Sequence, residues 1–211
     1  MTTASIEDLN CSANTHQTYT VTFHEDQINT VVTQTASIVD DWVSNIHRDF
    51  NRILNNLVVG FDIEWRPTFN RNQENKAALL QLCVGHRCLI FQFLYADHIP
   101  RSLIEFLNNP NFTFVGVGID EDVEKLLYDH ELGVANTLDL RHLAVQKLNK
   151  NELSKAGLKG LTEAVLGLEL KKPKKVTMSR WDVEYLTYDQ IMYACLDAFV
   201  AFKMGKNLMS L

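Results

Sequence analysis

The chain has 211 residues and a mass of 24.1 kDa, enough to bury a full hydrophobic core without a disulfide or metal staple. Hydrophobic residues make up 46% and charged residues 22%, which excludes a disordered or fibrous chain. A net charge of −6, with pI near 5.6, excludes a broadly basic binder of nucleic acid or membrane surfaces.

Residues 1–16 are polar and read as a flexible N-terminus, which leaves 17–211 as a single domain. Tyr19–Phe23 alternates apolar residues with threonine, and the β-branched stretch Asn29–Thr33 reads as its hairpin partner. Ser37 is placed to cap a helix over Ile38–Phe50, with Ile38, Trp42, Ile46 and Ile53 near one face. Leu57–Trp65 is an apolar strand. Leu79–Val84 and Cys88–Phe93 flank the turn Gly85-His86-Arg87 as a hairpin. Pro100 opens a short helix to Asn108. Phe112–Ile119 is a further strand, followed by a helix from Asp122 to His130. Thr137–Leu140 reads as a short strand leading into a helix that ends near Lys150. Leu158–Leu166 is helical, Glu169–Met178 is a polar loop, and Thr187-Tyr-Asp-Gln190 is a capping box that starts a helix to about Leu208. Hairpins come first and strand–helix alternation later, which predicts an α/β fold with a mixed sheet flanked by helices.

The four cysteines, Cys11, Cys83, Cys88 and Cys195, form no CxxC pair and read as reduced, buried thiols. The seven histidines have no metal-binding spacing. Met1–Asn10 lacks the features of a signal peptide, and no apolar run reaches the ~18 residues of a membrane span. The expectation is a soluble cytoplasmic protein.

Three acidic sites stand out. Asp62 and Glu64 lie two apart on the apolar strand, so their side chains leave the same face. Two adjacent carboxylates on such a strand repel each other unless a cation sits between them, and Mg²⁺ or Mn²⁺ suits oxygen ligands. The alternative is a pair of solvated acids at a strand end. The second site, Gly116-Val-Gly-Ile-Asp-Glu-Asp122, joins a strand to a helix, where open α/β sheets place ligands. Asp120 also fits as a helix N-cap there, and Asp122 as a first-turn acid favouring the helix dipole. In the third site, Tyr193 and Asp197 are one helical turn apart within an apolar run.

In that order, Asp62-Ile-Glu64, the segment ending in Asp122, and Tyr193-xxx-Asp197 resemble the three motifs of the DEDD 3′→5′ exonucleases. Phe61-Asp-Ile-Glu-Trp-Arg-Pro67, Ala78-Leu-Leu-Gln-Leu-Cys-Val84, Cys88-Leu-Ile-Phe91, Gly160-Leu-Thr-Glu-Ala-Val-Leu-Gly167 and Ser179-Arg-Trp-Asp182 are similar to the Werner-exonuclease and ribonuclease D branch. Met192 stands where the other subtype carries histidine, so the chain is similar to the tyrosine (DEDDy) subtype. The resemblance covers roughly residues 55–208. It implies an RNase H-like (DnaQ-like) exonuclease fold, here with an extra N-terminal β-hairpin. It further implies two divalent ions, Mg²⁺ or Mn²⁺, held by Asp62, Glu64, Asp122 and Asp197, with Tyr193 orienting the attacking water. The strands Tyr19–Thr33 also resemble those of small plant Werner-like exonucleases. The plant RISC-interacting clearing exoribonuclease group is the nearest resemblance, and it implies a single-stranded RNA substrate and association with Argonaute. Two other readings stay open: a Werner-like DNA 3′→5′ exonuclease in repair, and a non-catalytic nucleic-acid-binding adaptor on the same fold.

The net charge hides an asymmetry. Residues 141–180 hold ten Lys/Arg against three Asp/Glu, a local charge of +7 that leaves −13 elsewhere. Lys171, Lys172, Lys174 and Lys175 form the densest point and read as a channel for a single-stranded backbone, although Lys-Lys-Pro-Lys-Lys also resembles a nuclear localisation signal. Trp65 and Arg66 follow the first acids and are candidates for stacking on a terminal base. A compact exonuclease of this kind is also expected to gain substrate surface by forming a homo-oligomer.

Overall fold

The computed structural model describes residues 4–10, 14–68 and 74–211. Among these residues, eight strands form one mixed sheet: β1 (Ala4–Asp8), β2 (His16–Phe23), β3 (Asp26–Thr33), β4 (Leu57–Trp65), β5 (Ala77–Val84), β6 (Arg87–Gln92), β7 (Phe112–Gly116) and β8 (Thr137–Asp139). Their spatial order is β1-β2-β3-β6-β5-β4-β7-β8. The two hairpins β2–β3 and β5–β6 are antiparallel, β3 joins β6 in parallel, and β7 and β8 extend the sheet in parallel from β4.

Among the described residues, seven α-helices accompany the sheet: α1 (Ala36–Asp49), α2 (Arg101–Leu107), α3 (Ile119–His130), α4 (Leu140–Leu148), α5 (Leu158–Leu166), α6 (Lys174–Thr177) and α7 (Tyr188–Met209). The alternation of side chains along β4 divides the core in two. Phe61 and Ile63 join a cluster with Trp42, Ile46, Leu103 and Phe106 from α1 and α2. On the opposite face, Val58 packs in a second cluster with Ala194, Ala198, Ala201 and Met204 of α7. Helix α7 therefore lies across the centre of the sheet. Its start is set by a complete capping box, in which the Thr187 hydroxyl accepts from the Gln190 backbone and the Gln190 side chain accepts from the Thr187 backbone.

Five local expectations need correction. Ala4–Asp8 was expected to be flexible, yet it pairs antiparallel with β2 along its whole length. Its alternating, half-buried pattern is that of an edge strand, and pairing satisfies its backbone without a strongly apolar sequence. Residues 1–3 and 11–13, including Cys11, lie outside the described residues. Ser37 is not a cap. Thr35 occupies the N-cap position, and Ser37 is already inside α1. Ile53 is 45% exposed, because α1 ends at Asp49 and the chain leaves the helical phase before reaching it. Strand β7 stops at Gly116, and α3 begins at Ile119, because Gly118 at φ +76° turns the chain three residues earlier than expected. Asp120 is consequently a first-turn residue and not the N-cap. Finally, the polar loop Glu169–Met178 contains the single helical turn α6.

Candidate active site

Strand β4 presents Asp62 and Glu64 toward α7. Helix and strand approach unusually closely at Gly60, where an added Cβ would lie 1.9 Å from the Ala198 carbonyl oxygen and 2.8 Å from the Phe202 nitrogen. The missing side chain lets the α7 backbone rest on β4, and that contact brings Asp197 to the two strand acids. One carboxylate oxygen from each of Asp62, Glu64 and Asp197 lies within 4.8 Å of the other two. Asp122 is not one of that close group. It sits half-buried in the first turn of α3, near enough for its charge to act on both Asp62 and Glu64.

Burial dominates the electrostatics. It pushes Asp62 and Glu64 well above the ordinary carboxylate range, and neighbouring carboxylates push them further. Asp122 is pushed up to about 7, first by burial and then by Glu121. Burial also raises Asp197, against the pull of Lys172.

Lys172 was read as a backbone-tracking residue, but the structure turns it inward. Its Nζ lies 2.5 Å from Asp197 Oδ2 and 4.7 Å from the centre of the Tyr193 ring. Burial alone would lower the lysine pKa, but Asp197 and Asp62 outweigh it and leave the ammonium firmly charged. A cavity of about 260 Å³ is lined by Asp62, Asp197, Lys172, Phe61, Val117 and Leu158 among others.

Tyr193 is held on several sides. Its ring contacts the Lys172 ammonium and the fully buried Trp181, whose ring centre is 5.7 Å away. Its hydroxyl accepts a hydrogen bond from Thr177 Oγ1 at 3.1 Å. Burial, followed by Asp197, raises the phenol well above its usual value, so it remains a hydrogen-bond donor at neutral pH.

The remaining predicted contacts are not gathered with these groups. Trp65 packs against the cluster that holds Phe61 and Ile63, with Lys125 5.3 Å over its ring. Arg66 pairs with Asp182 at 3.2 Å, tying β4 to the segment before α7. Lys171, Lys174 and Lys175 are exposed.

Two further residues belong to the site's support. Asp139 is buried beside Arg141 at 2.5 Å and accepts from the Gly118 backbone at 3.0 Å, which pins the turn that leads to Asp122. Gln81 lies directly opposite Asp62 on β5, fully buried, with neither its Oε1 nor its Nε2 hydrogen-bonded among the described residues. A lone glutamine in the otherwise apolar Ala77–Val84 was a signal legible in the sequence.

The sequence of residues 44–211 matches the family of 3′-5′ exonuclease domains. The chain belongs to this family. An Arabidopsis thaliana protein named 3′-5′ exonuclease is 34% identical over 154 residues, 72% of this chain and 53% of the relative. The mouse bifunctional 3′-5′ exonuclease/ATP-dependent helicase WRN is 34% identical over 158 residues, 74% of this chain and 11% of that protein. The chain thus spans about half, or less, of the length of these curated relatives. Among solved structures, the EXD2 exonuclease domain soaked in Mn is 29% identical, with a TM-score of 0.50 over 86% of this chain and 89% of that one. Escherichia coli RNase D shares the fold, with a TM-score of 0.67 over 85% of this chain and 44% of its own at 21% identity. The family's RNase H-like architecture agrees with the mixed sheet seen here. Among the described residues of this exonuclease-family chain, no helix is long and apolar enough to cross a membrane.

Proposed function

We propose that the chain is a metal-dependent 3′→5′ exonuclease that removes mononucleotides from single-stranded RNA. The observation that carries this reading is the convergence of half-buried Asp62 and Glu64 with buried Asp197, with Asp122 near enough for its charge to act on them and Tyr193 one turn from Asp197. A site built only to bind an anionic polymer has no use for buried carboxylates, which repel phosphate. The donor set fits hard divalent ions, because it consists of carboxylate oxygens whose mutual repulsion a cation relieves. The unpaired Gln81 carboxamide beside Asp62 would suit the hydration shell that Mg²⁺ retains. The EXD2 structure soaked in Mn supports the same ion class.

Asp62, Glu64, Asp122 and Asp197 would hold the ions. Two such ions would stabilise the attacking and leaving oxygens of the phosphodiester and lower the pKa of a bound water. Tyr193, kept protonated by burial and oriented by Thr177, would aim that water rather than take its proton. The exposed Lys171, Lys174 and Lys175 would track the strand's phosphates.

The preference for RNA and the association with Argonaute rest on the resemblance of the chain to the plant RISC-interacting clearing exoribonuclease group. A cytoplasmic site of action, with the nucleus reached through Lys171–Lys175, is proposed from the cysteine pattern and from the likeness of that lysine run to a nuclear localisation signal. A homo-oligomer would add surface for substrate, and a purely monomeric species by light scattering would remove that part. Labelled single-stranded RNA and DNA with free or blocked 3′ ends, with Mg²⁺ or with chelator, test the whole. RNA with a free 3′ end should shorten to mononucleotides only with metal. Preferred cleavage of DNA would favour the repair reading, and binding without cleavage would favour the adaptor.

The raised carboxyls carry a pH signature. Without metal, the folded chain holds protons on these acids above the unfolded carboxylate range, up to about 7 for Asp122. Their contribution to stability therefore falls as pH rises through that window. His130 acts in the opposite sense, because burial lowers its pKa. Metal binds only deprotonated acids, so the rise in Tm caused by Mn²⁺ over chelator should grow from about pH 5.5 to about pH 7.5. Equal rises at both pH values, measured by scanning calorimetry, would contradict the proposed ligands.

A further inference from the structure

We propose that Lys172 is a positioning residue that competes with metal for Asp197 and so sets the metal affinity of the site. This rests on the metal-dependent reading above. Of the four lysines in Lys171–Lys175, Lys172 alone turns inward, and its side chain is only 26% exposed. Its ammonium contacts Oδ2 of Asp197, a carboxylate that the metal reading assigns to an ion, and lies in the field of Asp62, Glu64 and Asp122. One ammonium among four acids, Asp197 buried and the others half-buried, compensates part of their charge and holds Asp197 in place beside Tyr193. A divalent ion at Asp197 and the ammonium repel each other at such range, so loading requires Lys172 to withdraw.

The local backbone permits that withdrawal. Residues 167–173 belong to no helix or strand, and Lys172 stands between the buried anchors Leu170 and Val176. Its contacts are therefore made by the side chain and not imposed by a hydrogen-bonded ladder. By reciprocity, whatever metal does to Lys172, Lys172 does to metal.

The test is the affinity of the full chain for Mn²⁺, read by calorimetric titration or by the electron paramagnetic resonance of free Mn²⁺. Lys172→Met keeps the length of the side chain and removes its charge. It should tighten Mn²⁺ binding by about tenfold, whereas Lys171→Met, which removes a charge from the exposed neighbour, should change it less than about twofold. The rise in Tm on adding Mn²⁺ should likewise be larger for Lys172→Met than for the wild type, a comparison that holds even if the variant starts less stable. Unchanged or weaker Mn²⁺ affinity in Lys172→Met, with normal binding by the wild type, overturns this inference and leaves the exonuclease reading standing. No Mn²⁺ binding by the wild type overturns both.

Discussion

Asp62→Asn is expected to lower the rate of 3′-terminal nucleotide release by at least about 10²-fold under saturating Mg²⁺ or Mn²⁺, as for loss of one electrostatic stabiliser of the transition state. Asparagine keeps the shape and volume of the side chain, so the packing of β4 against α7 is preserved. What is lost is a negative charge in the cluster of Asp62, Glu64 and Asp197. The same change should leave the protein as stable or more stable in chelator, because a partly desolvated carboxyl repelled by its neighbours has been removed. Lost turnover with retained or raised Tm separates a functional acid from a structural one. Activity close to wild type would take Asp62 out of the site.

Gly60→Ala should be the most damaging conservative change in the sheet, at about 3 kcal/mol or more in urea unfolding, the upper range for overpacking a core. The new methyl would meet the Ala198 carbonyl at 1.9 Å, and that neighbour is helix backbone, which cannot rotate away. Relief requires α7 to lift from β4, which would separate Asp197 from Asp62. Activity should therefore fall further than stability accounts for, even under conditions where the variant is folded. Gly160→Ala offers the contrast. Gly160 is exposed within α5, and its new methyl would find only the Ala156 Cβ at 3.8 Å. It should be neutral or stabilising by up to about 1 kcal/mol. Comparable losses in the two variants would mean that the close approach at Gly60 is not what sets the helix on the strand.

Elements whose signals are local were readable in advance. Strand β4 and helix α5 have the bounds expected from their sequences, Leu57–Trp65 and Leu158–Leu166, since an uninterrupted apolar run and an amphipathic run each mark their own ends. The capping box at Thr187 was legible for the same reason. Elements stabilised by a distant partner were not. Strand β1 has little apolar content of its own and exists through pairing with β2. The start of α3 depends on a left-handed Gly118 held by Asp139, 21 residues away.

The same division runs through the site. Strand and helix periodicities placed Asp62 with Glu64, and Tyr193 with Asp197, on one face, and it was the resemblance to the exonuclease motifs that joined these pairs with Asp122 as one candidate site. Lys172 was misassigned, because a run of lysines with one composition contains three solvated residues and one ion-paired residue. Only the seating of α7 on Gly60 tells them apart, by placing Asp197 where a single ammonium can reach it. Gln81 was passed over for a related reason. Its significance lies in the antiparallel register that puts it opposite Asp62, and register between strands is decided by packing across the whole sheet. Motif spacing along the chain marked the candidate residues, and long-range packing decided how close their charges stand and that the Lys172 ammonium stands among them.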